Sequence, residues 1–292
     1  MGEAMSTTNG TTAAAAQATL AERAAALSWY HTLDLPGGIE TAGHFDTRPT
    51  VAKVPLPARL DGKRCLDVGT WDGFWAFEME RRGAASVTAI DLDDPSRWDW
   101  PPEARLRLDR DADRLAYLEQ YKKDAAGFRL AKEALDSKVE RIDCSVYDLD
   151  PAVHGTFDVV FLGSLLLHLR DPVSALSALR SVCSGEAIIA DTIELLPSLL
   201  RPRTPSARLE GLDQSWWWQP NAAAFRRMVR SAGFDIVEQT GIYFLPIGAS
   251  HPKPPVLSRA TWRELLTAGG REKVVIRLKG IPHTAVRATP QR

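Results

Sequence analysis

The stretch CLDVGTWDGFWAFEMERRGAASVTAIDLDDP, residues 65–95, restricts the fold more than any other part of the chain. KRCLDVG is a short apolar strand that runs into a glycine-bearing turn. FWAFEMERRG then places Phe74, Phe77 and the stem of Glu78 one helical turn apart and closes on Gly83, a helix C-cap signal. SVTAID follows as a second strand and ends in a carboxylate, Asp91. Strand, helix and strand in so short a span imply a parallel pairing, and the remaining chain must supply the layers that cover it.

The alternation continues to about Ile193. KVERIDCSVYDL, FDVVFLG and EAIIADT read as three further strands, and the last two bracket a helix opened by RDPVSALSAL, with Asp171 as N-cap and Pro172 in the first turn. Largely apolar strands alternating with helices predict a doubly wound, Rossmann-like α/β fold: a seven-stranded sheet with helices on both faces. Residues 13–62 are expected to form an N-terminal helical extension, with Leu20, Ala24 and Leu27 at helical spacing, and a Pro/Gly-punctuated lid segment. Residues 1–12, small and polar, are expected to be a disordered tail. Residues 63–292 form the main domain, with insertions at about 96–137 and 195–220. Near the C-terminus a helix over AAAFRRMVRSAG, capped by Asn221, precedes the strand FDIVEQTGIYF. A short helix near TWRELLTAGG and a last strand, KVVIRLKG, complete the pattern, and the two C-terminal strands suit a hairpin at the sheet edge.

Composition narrows the function classes. Lys and Arg number 36 against 37 Asp and Glu, so overall charge does not favour a polyanionic partner. Cys65, Cys144 and Cys183 lack metal-ligand spacing and read as packing thiols of a reducing cytoplasm. No run approaches the roughly 18 apolar residues of a membrane helix, and the N-terminal alanines lack the flanks of a signal peptide.

In an open parallel sheet, ligands bind at the carboxyl ends of the strands where the strand order reverses. The turn after the first strand is Gly69-Thr70-Trp71-Asp72-Gly73, without the middle glycine of a dinucleotide fingerprint. Asp67 just before it disfavours a pyrophosphate and suits a cationic amine. Asp91 lies 24 residues beyond Asp67, where a carboxylate suits a ribose.

The D-x-G-x-x-x-G spacing followed by an acid-tipped strand resembles class I S-adenosyl-L-methionine-dependent methyltransferases. With SVYDLDP, FDVVFLGSLLLHLRDPVSALSALRSV, FRRMVRSAGFDIVE and FDTRP, the chain resembles the tRNA wobble-uridine methyltransferase family that forms carboxymethoxyuridine, over most of residues 45–240. The resemblance implies S-adenosyl-L-methionine as cofactor. It would be held by Asp67, Gly69, Thr70, Trp71, Asp72, Gly73, Asp91, Leu92 and Gly163, with Val146 and Tyr147 at the adenine. Some members of that family use a carboxylated cofactor, read by a Tyr and an Arg. Leu167 stands where that Tyr is expected, and KGIPHTAVRA offers no clear counterpart of the Arg, which favours the ordinary cofactor.

His168, just beyond FLGSLLL, is the candidate general base, ahead of His31, His44 and His154. Gly163-Ser164-Leu165-Leu166 replaces the Asn/Asp-Pro-Pro-aromatic run of many exocyclic-amine methyltransferases, which shifts weight to oxygen or carbon acceptors. Substrate candidates are Asp46 and Arg48 of HFDTRP, which suit an ion pair tying down the lid segment at least as well, and Trp217 and Trp218 of SWWWQP, of which at least one is expected only to anchor its insertion. The three arginines Arg226, Arg227 and Arg230 suit a solvated helix face. The expected function is methyl transfer to an O- or C-nucleophile of a small molecule in specialised metabolism, with tRNA as the alternative substrate, no membrane partner, and a homo-oligomer left open.

Overall fold

The computed structural model describes residues 19–212, 215–251 and 268–291. The tail expected at residues 1–12 and most of the helix near TWRELLTAGG lie outside the described residues. Eight strands form the main sheet: β1 (Arg64–Val68), β2 (Ser86–Asp91), β3 (Glu140–Asp143), β4 (Phe157–Gly163), β5 (Cys183–Thr192), β6 (Phe234–Gln239), β7 (Tyr243–Leu245) and β8 (Ile281–Pro290). Seven run in the order β6-β8-β5-β4-β1-β2-β3, and the short β7 pairs with the start of β8. Strands β1 to β5 are mutually parallel, and β8 is antiparallel to both its neighbours.

Period-two alternation sends the strand side chains into two cores. On one face Cys65, Val87, Ala89, Val159 and Phe161 pack with Phe77 and Met79 of helix α1 (Phe74–Arg81), with the N-terminal Trp29, and with Phe128 and Ala131 of a helix from the first insertion. On the other face Leu66, Val68, Ile90, Val160 and Leu162 meet α5 (Pro172–Val182) through Leu176 and Leu179, and α6 (Ala222–Ser231) through Phe225 and Val229. The first insertion folds as α2 (Pro102–Asp109), α3 (Ala112–Lys122) and α4 (Ala126–Ala134). Asp171 and Asn221 cap as expected, accepting from Ser174 N and Ala224 N; a cap of this kind is worth about 1 kcal/mol.

One expectation at the C-terminus needs correction. KVVIRLKG lies in a helix, α7 (Ala268–Lys279), and the strand begins at Ile281. Val274, Val275 and Ile276 look strand-like, but β propensity expresses how a side chain fits a pleated surface, and tertiary context overrides it. Gly280 makes the break: its φ is +102°, its N–H donates to Ile276 O, and a Cβ there would lie 1.9 Å from Leu245 O. The two C-terminal strands do form an antiparallel pair at the sheet edge, with β8 against β5 and β6 outermost.

The lid segment is tied across the carboxyl ends of the sheet. Trp29–His31 pairs in parallel with Gly43–Phe45, Phe45 bridges to Ile247, and Asp46 N donates to Pro246 O. A second insertion, after β5, forms a two-stranded ribbon of Ala207–Leu209 with Trp218–Pro220.

Candidate active site

A cavity of about 360 Å³ opens where the strand order reverses, between the carboxyl ends of β1 and β4. Its walls come from the turns after β1, β2, β3 and β4, from α3, from the lid segment, and from β7 and β8. Of the residues expected to bind cofactor, Asp67, Gly69, Thr70, Trp71, Asp91, Leu92, Val146 and Gly163 line it, as does His168.

Asp67 is 1% exposed, and its Oδ2 accepts from Thr70 Oγ1 at 2.6 Å. Burial pushes its carboxyl up to about 7, against the hydrogen bonds from Thr70 and the Ala76 backbone. A cationic amine in the cavity beside it would favour ionisation.

Asp91 is more heavily engaged than a plain ribose acceptor. Its Oδ2 accepts from Trp71 N and its Oδ1 from Leu92 N, each at 2.7 Å, and Lys122 Nζ lies 2.7 Å from Oδ1. Lys122 is 4% exposed and sits 4.0 Å from the centroid of the Trp71 ring. Desolvation lowers its pKa while Asp91 and Asp93 oppose that. A carboxylate has about four lone-pair directions, so Asp91 retains room for a ribose hydroxyl beside these three contacts. Trp71 holds a left-handed conformation, φ +49°, and stacks on Tyr30 with ring centroids 4.8 Å apart.

Several expected contacts stand outside the cavity wall. Asp72, 2% exposed, accepts from Tyr30 N and His31 N through Oδ2 and from His31 Nδ1 through Oδ1. It anchors the lid segment to the glycine turn. Gly73 needs to be glycine for packing and for its φ of +93°, since a Cβ would fall 2.5 Å from the Phe77 ring and 2.8 Å from Phe128. Tyr147 turns away from the cavity, its hydroxyl donating to Asp99 Oδ2 at 2.9 Å and accepting from Asp171 N at 3.1 Å.

The four expected substrate contacts are likewise engaged elsewhere. Arg48 binds Asp46 through two nitrogens, at 2.8 and 2.9 Å, and also reaches Asp34 and Glu40. Trp217 donates its indole N–H to Asp99 O, and Trp218 donates its own to Arg170 O. Both rings secure the second insertion to the loops beneath it.

His168 donates Nδ1–H to Ser215 O at 2.7 Å, which leaves Nε2 as its lone-pair nitrogen. Burial holds its pKa below the ordinary histidine value, helped by Lys122 and opposed by the Ser215 bond. The ring is therefore neutral at neutral pH, the form a general base requires. Of the weaker histidine candidates, His31 and His44 line the cavity and His154 approaches Cys144 Sγ at 3.7 Å.

Sequence reading missed Tyr30, Lys122, Ser164, Tyr243 and His283, all in the wall. Ser164 carried one usable signal, a polar residue directly after a buried parallel strand. The others come from segments whose approach to the cavity depends on long-range packing. Among the described residues no group of His, Cys, Asp and Glu is placed to hold a metal, and no helix is long and apolar enough to cross a membrane.

A doubly wound sheet, an acid-flanked glycine turn and an acid-tipped second strand define the class of S-adenosyl-L-methionine-dependent methyltransferases. Asp67, Asp91 and the apolar wall of Leu92 and Val146 suit the amine, ribose and base of that cofactor. Residues 46–239 match the methyltransferase domain family, and the chain belongs to that family. It is 27% identical over 179 residues to a tRNA U34 carboxymethyltransferase of Ectopseudomonas mendocina, covering 61% of this chain and 47% of the relative. It is 28% identical over 186 residues to one from Pseudomonas aeruginosa, covering 62% and 48%. The chain thus spans about half the length of these curated relatives. A solved structure of magnesium protoporphyrin IX methyltransferase from Synechocystis PCC 6803 with bound SAH matches at 14% identity and a TM-score of 0.47, over 84% of this chain and 80% of that one.

Proposed function

We propose that this methyltransferase acts on an oxygen or carbon nucleophile of a small molecule. The charge distribution of the cavity carries the reading. Among the described residues that line it, Lys122 is the single Lys or Arg, and it is held by Asp91 on the cofactor side. A polynucleotide phosphate entering the cavity would meet no uncommitted Lys or Arg there, whereas nucleic-acid affinity rests largely on such contacts.

When bound, S-adenosyl-L-methionine supplies an electrophilic methyl group on a sulfonium. The residues of the chain hold, orient and exclude water. Asp67 receives the cofactor's amine, Asp91 one ribose hydroxyl, and Val146 with Leu92 the adenine face. Much of the rate enhancement then comes from alignment in a site screened from water. His168 accepts the acceptor's proton at Nε2 when the nucleophile is protonated, and its bond to Ser215 O keeps the ring oriented.

The second reading, methylation of a tRNA wobble uridine, rests on the curated relatives. Incubation with labelled S-adenosyl-L-methionine and either metabolite extract or bulk tRNA separates the two. Label in a small molecule is expected, and label confined to RNA would refute the first reading. Calorimetric titration with S-adenosylhomocysteine checks the cofactor independently.

A further inference from the structure

Ser164 and His283 are 119 residues apart and meet in the cavity wall, with Ser164 Oγ 3.0 Å from His283 Nε2. His283, 4% exposed, also places Nδ1 3.0 Å from Ile281 O. A carbonyl oxygen only accepts, so Nδ1 carries the ring proton. Burial lowers the pKa of His283 to about 4, so the ring is neutral in the physiological range and Nε2 is a bare lone pair. The Ser164 hydroxyl must therefore donate to it. This leaves Ser164 Oγ with lone pairs alone for anything in the cavity.

The surroundings support a built site. Ser164 follows Gly163 at the carboxyl end of β4 in a left-handed conformation, φ +52°, with its N–H bonded to Ala190 O at 2.8 Å. Strained non-glycine backbone of this kind persists where its surroundings hold it in place, often at functional sites. Tyr243 pairs with His283 across β7 and β8, its ring 5.8 Å away, and Tyr30, Trp75, Phe161 and Leu245 complete an uncharged wall. The charged residues lining the cavity, Asp67, Asp91, Asp99 and Lys122, come from the β1 and β2 turns and α3.

We propose that Ser164, oriented by His283, is the acceptor-recognition group of this site, and that the acceptor is a neutral, largely apolar molecule presenting an O–H or N–H donor to Ser164 Oγ. Ethers, ketones and carboxylates offer only lone pairs at that point and are disfavoured, because lone pair would face lone pair in a dry wall. His283 is a positioning residue: it sets the direction of the chain of hydrogen bonds and takes no proton. The inference rests on the proposed methyltransferase reading and specifies its acceptor.

The test uses full-length protein saturated with S-adenosylhomocysteine and three fluorescent probes: 2-naphthol, 2-methoxynaphthalene and 2-naphthoate. Wild type should bind 2-naphthol about tenfold more tightly than the methyl ether, the scale of one hydrogen bond, and should bind the carboxylate worst. Ser164→Gly, which suits the left-handed backbone, should abolish the preference while leaving S-adenosylhomocysteine affinity within about twofold. His283→Leu frees the serine hydroxyl to donate, so the preference should collapse or reverse towards the ether. A purely structural role for His283 would not produce that reversal. Equal binding of the naphthol and its ether, no binding of either, or a preference surviving Ser164→Gly would overturn the proposal. So would a tenfold loss of S-adenosylhomocysteine affinity in Ser164→Gly, which would assign the serine to the cofactor. Failure of wild type to bind S-adenosylhomocysteine at all would instead remove the cofactor reading.

Discussion

The two halves of the cavity are assembled in opposite ways. The half proposed for the cofactor is charged, and its key contacts form within one strand-turn-helix-strand unit: Thr70 reaches Asp67 three residues back, and Trp71 N reaches Asp91 across 20. The half proposed for the acceptor is uncharged, and its parts arrive from Tyr30, Ser164, Tyr243 and His283, spread over most of the chain. The first half is prescribed by local geometry at the end of a parallel strand. The second is whatever the lid segment and the C-terminal strands bring over it, which is where substrate specificity can vary while the cofactor site stays the same.

The sharpest way to break this division is Asp91→Ala. The change removes the acceptor of Trp71 N and the partner of a buried lysine. It should cost about 3 kcal/mol of stability and weaken cofactor binding by about 1 to 3 kcal/mol, read by thermal melting and by titration with S-adenosylhomocysteine. Unchanged affinity would place the ribose elsewhere. Lys122→Met combined with Asp91→Ala should recover part of the stability, since the orphaned charge is then gone.

His168→Ala tests the boundary between the halves. Turnover should fall by about 100-fold with cofactor affinity intact, and a normal rate would eliminate it as base. Because burial lowers the pKa of His168, the acid limb of the pH–rate profile should fall below the ordinary histidine value of about 6.5.

Asp67 gives a smaller and more specific signal. With its carboxyl raised to about 7, it is mostly protonated at pH 6, and a bound ammonium group should ionise it. Binding of S-adenosylhomocysteine at pH 6 should release up to about one proton, visible as a dependence of the calorimetric heat on buffer ionisation, and release should vanish by about pH 8. The same group affects stability. A raised carboxyl pKa favours the folded state at low pH and loses that contribution as pH rises through about 7; Asp191, also raised to about 7, behaves alike. His283 works in the other direction, its contribution present above about 6.5 and lost as pH falls towards about 4. With two raised carboxylates set against one lowered histidine, acidification from pH 7 to 5 should raise the melting temperature of wild type and raise it further in His283→Leu.

The smallest effect is expected from Asp46→Ala or Arg48→Ala. Their cluster with Asp34 and Glu40 is largely solvent-facing, so each change should cost below about 1 kcal/mol of stability and leave ligand binding nearly unchanged. A large loss of acceptor binding would return these residues to the substrate site.

How much was legible follows the same division. The alternating apolar runs, the caps at Asp171 and Asn221, the glycine turn and the acid at Asp91 are all short-range patterns, and the parallel sheet that they predict is the one observed. Asp72 and Gly73 sit in the right motif yet serve packing and anchoring, because a residue's position in a turn does not say which way its side chain leaves the backbone. The strand expected at KVVIRLKG failed because three β-branched residues suit either element until packing chooses, although Gly280 marked the break. Trp217 and Trp218 were visible as aromatic rings, but not as donors to the backbone of Asp99 and Arg170.

By itself the sequence determined the parallel core of the sheet, its winding and the glycine turn, since hydrophobic periodicity and turn chemistry act over a few residues and leave their mark in the order of the letters. Tertiary structure alone decided that Lys122 would lie against Asp91 and that Ser164 would meet His283. Such contacts depend on how distant segments pack, and burial then fixes their protonation and the direction of their hydrogen bonds.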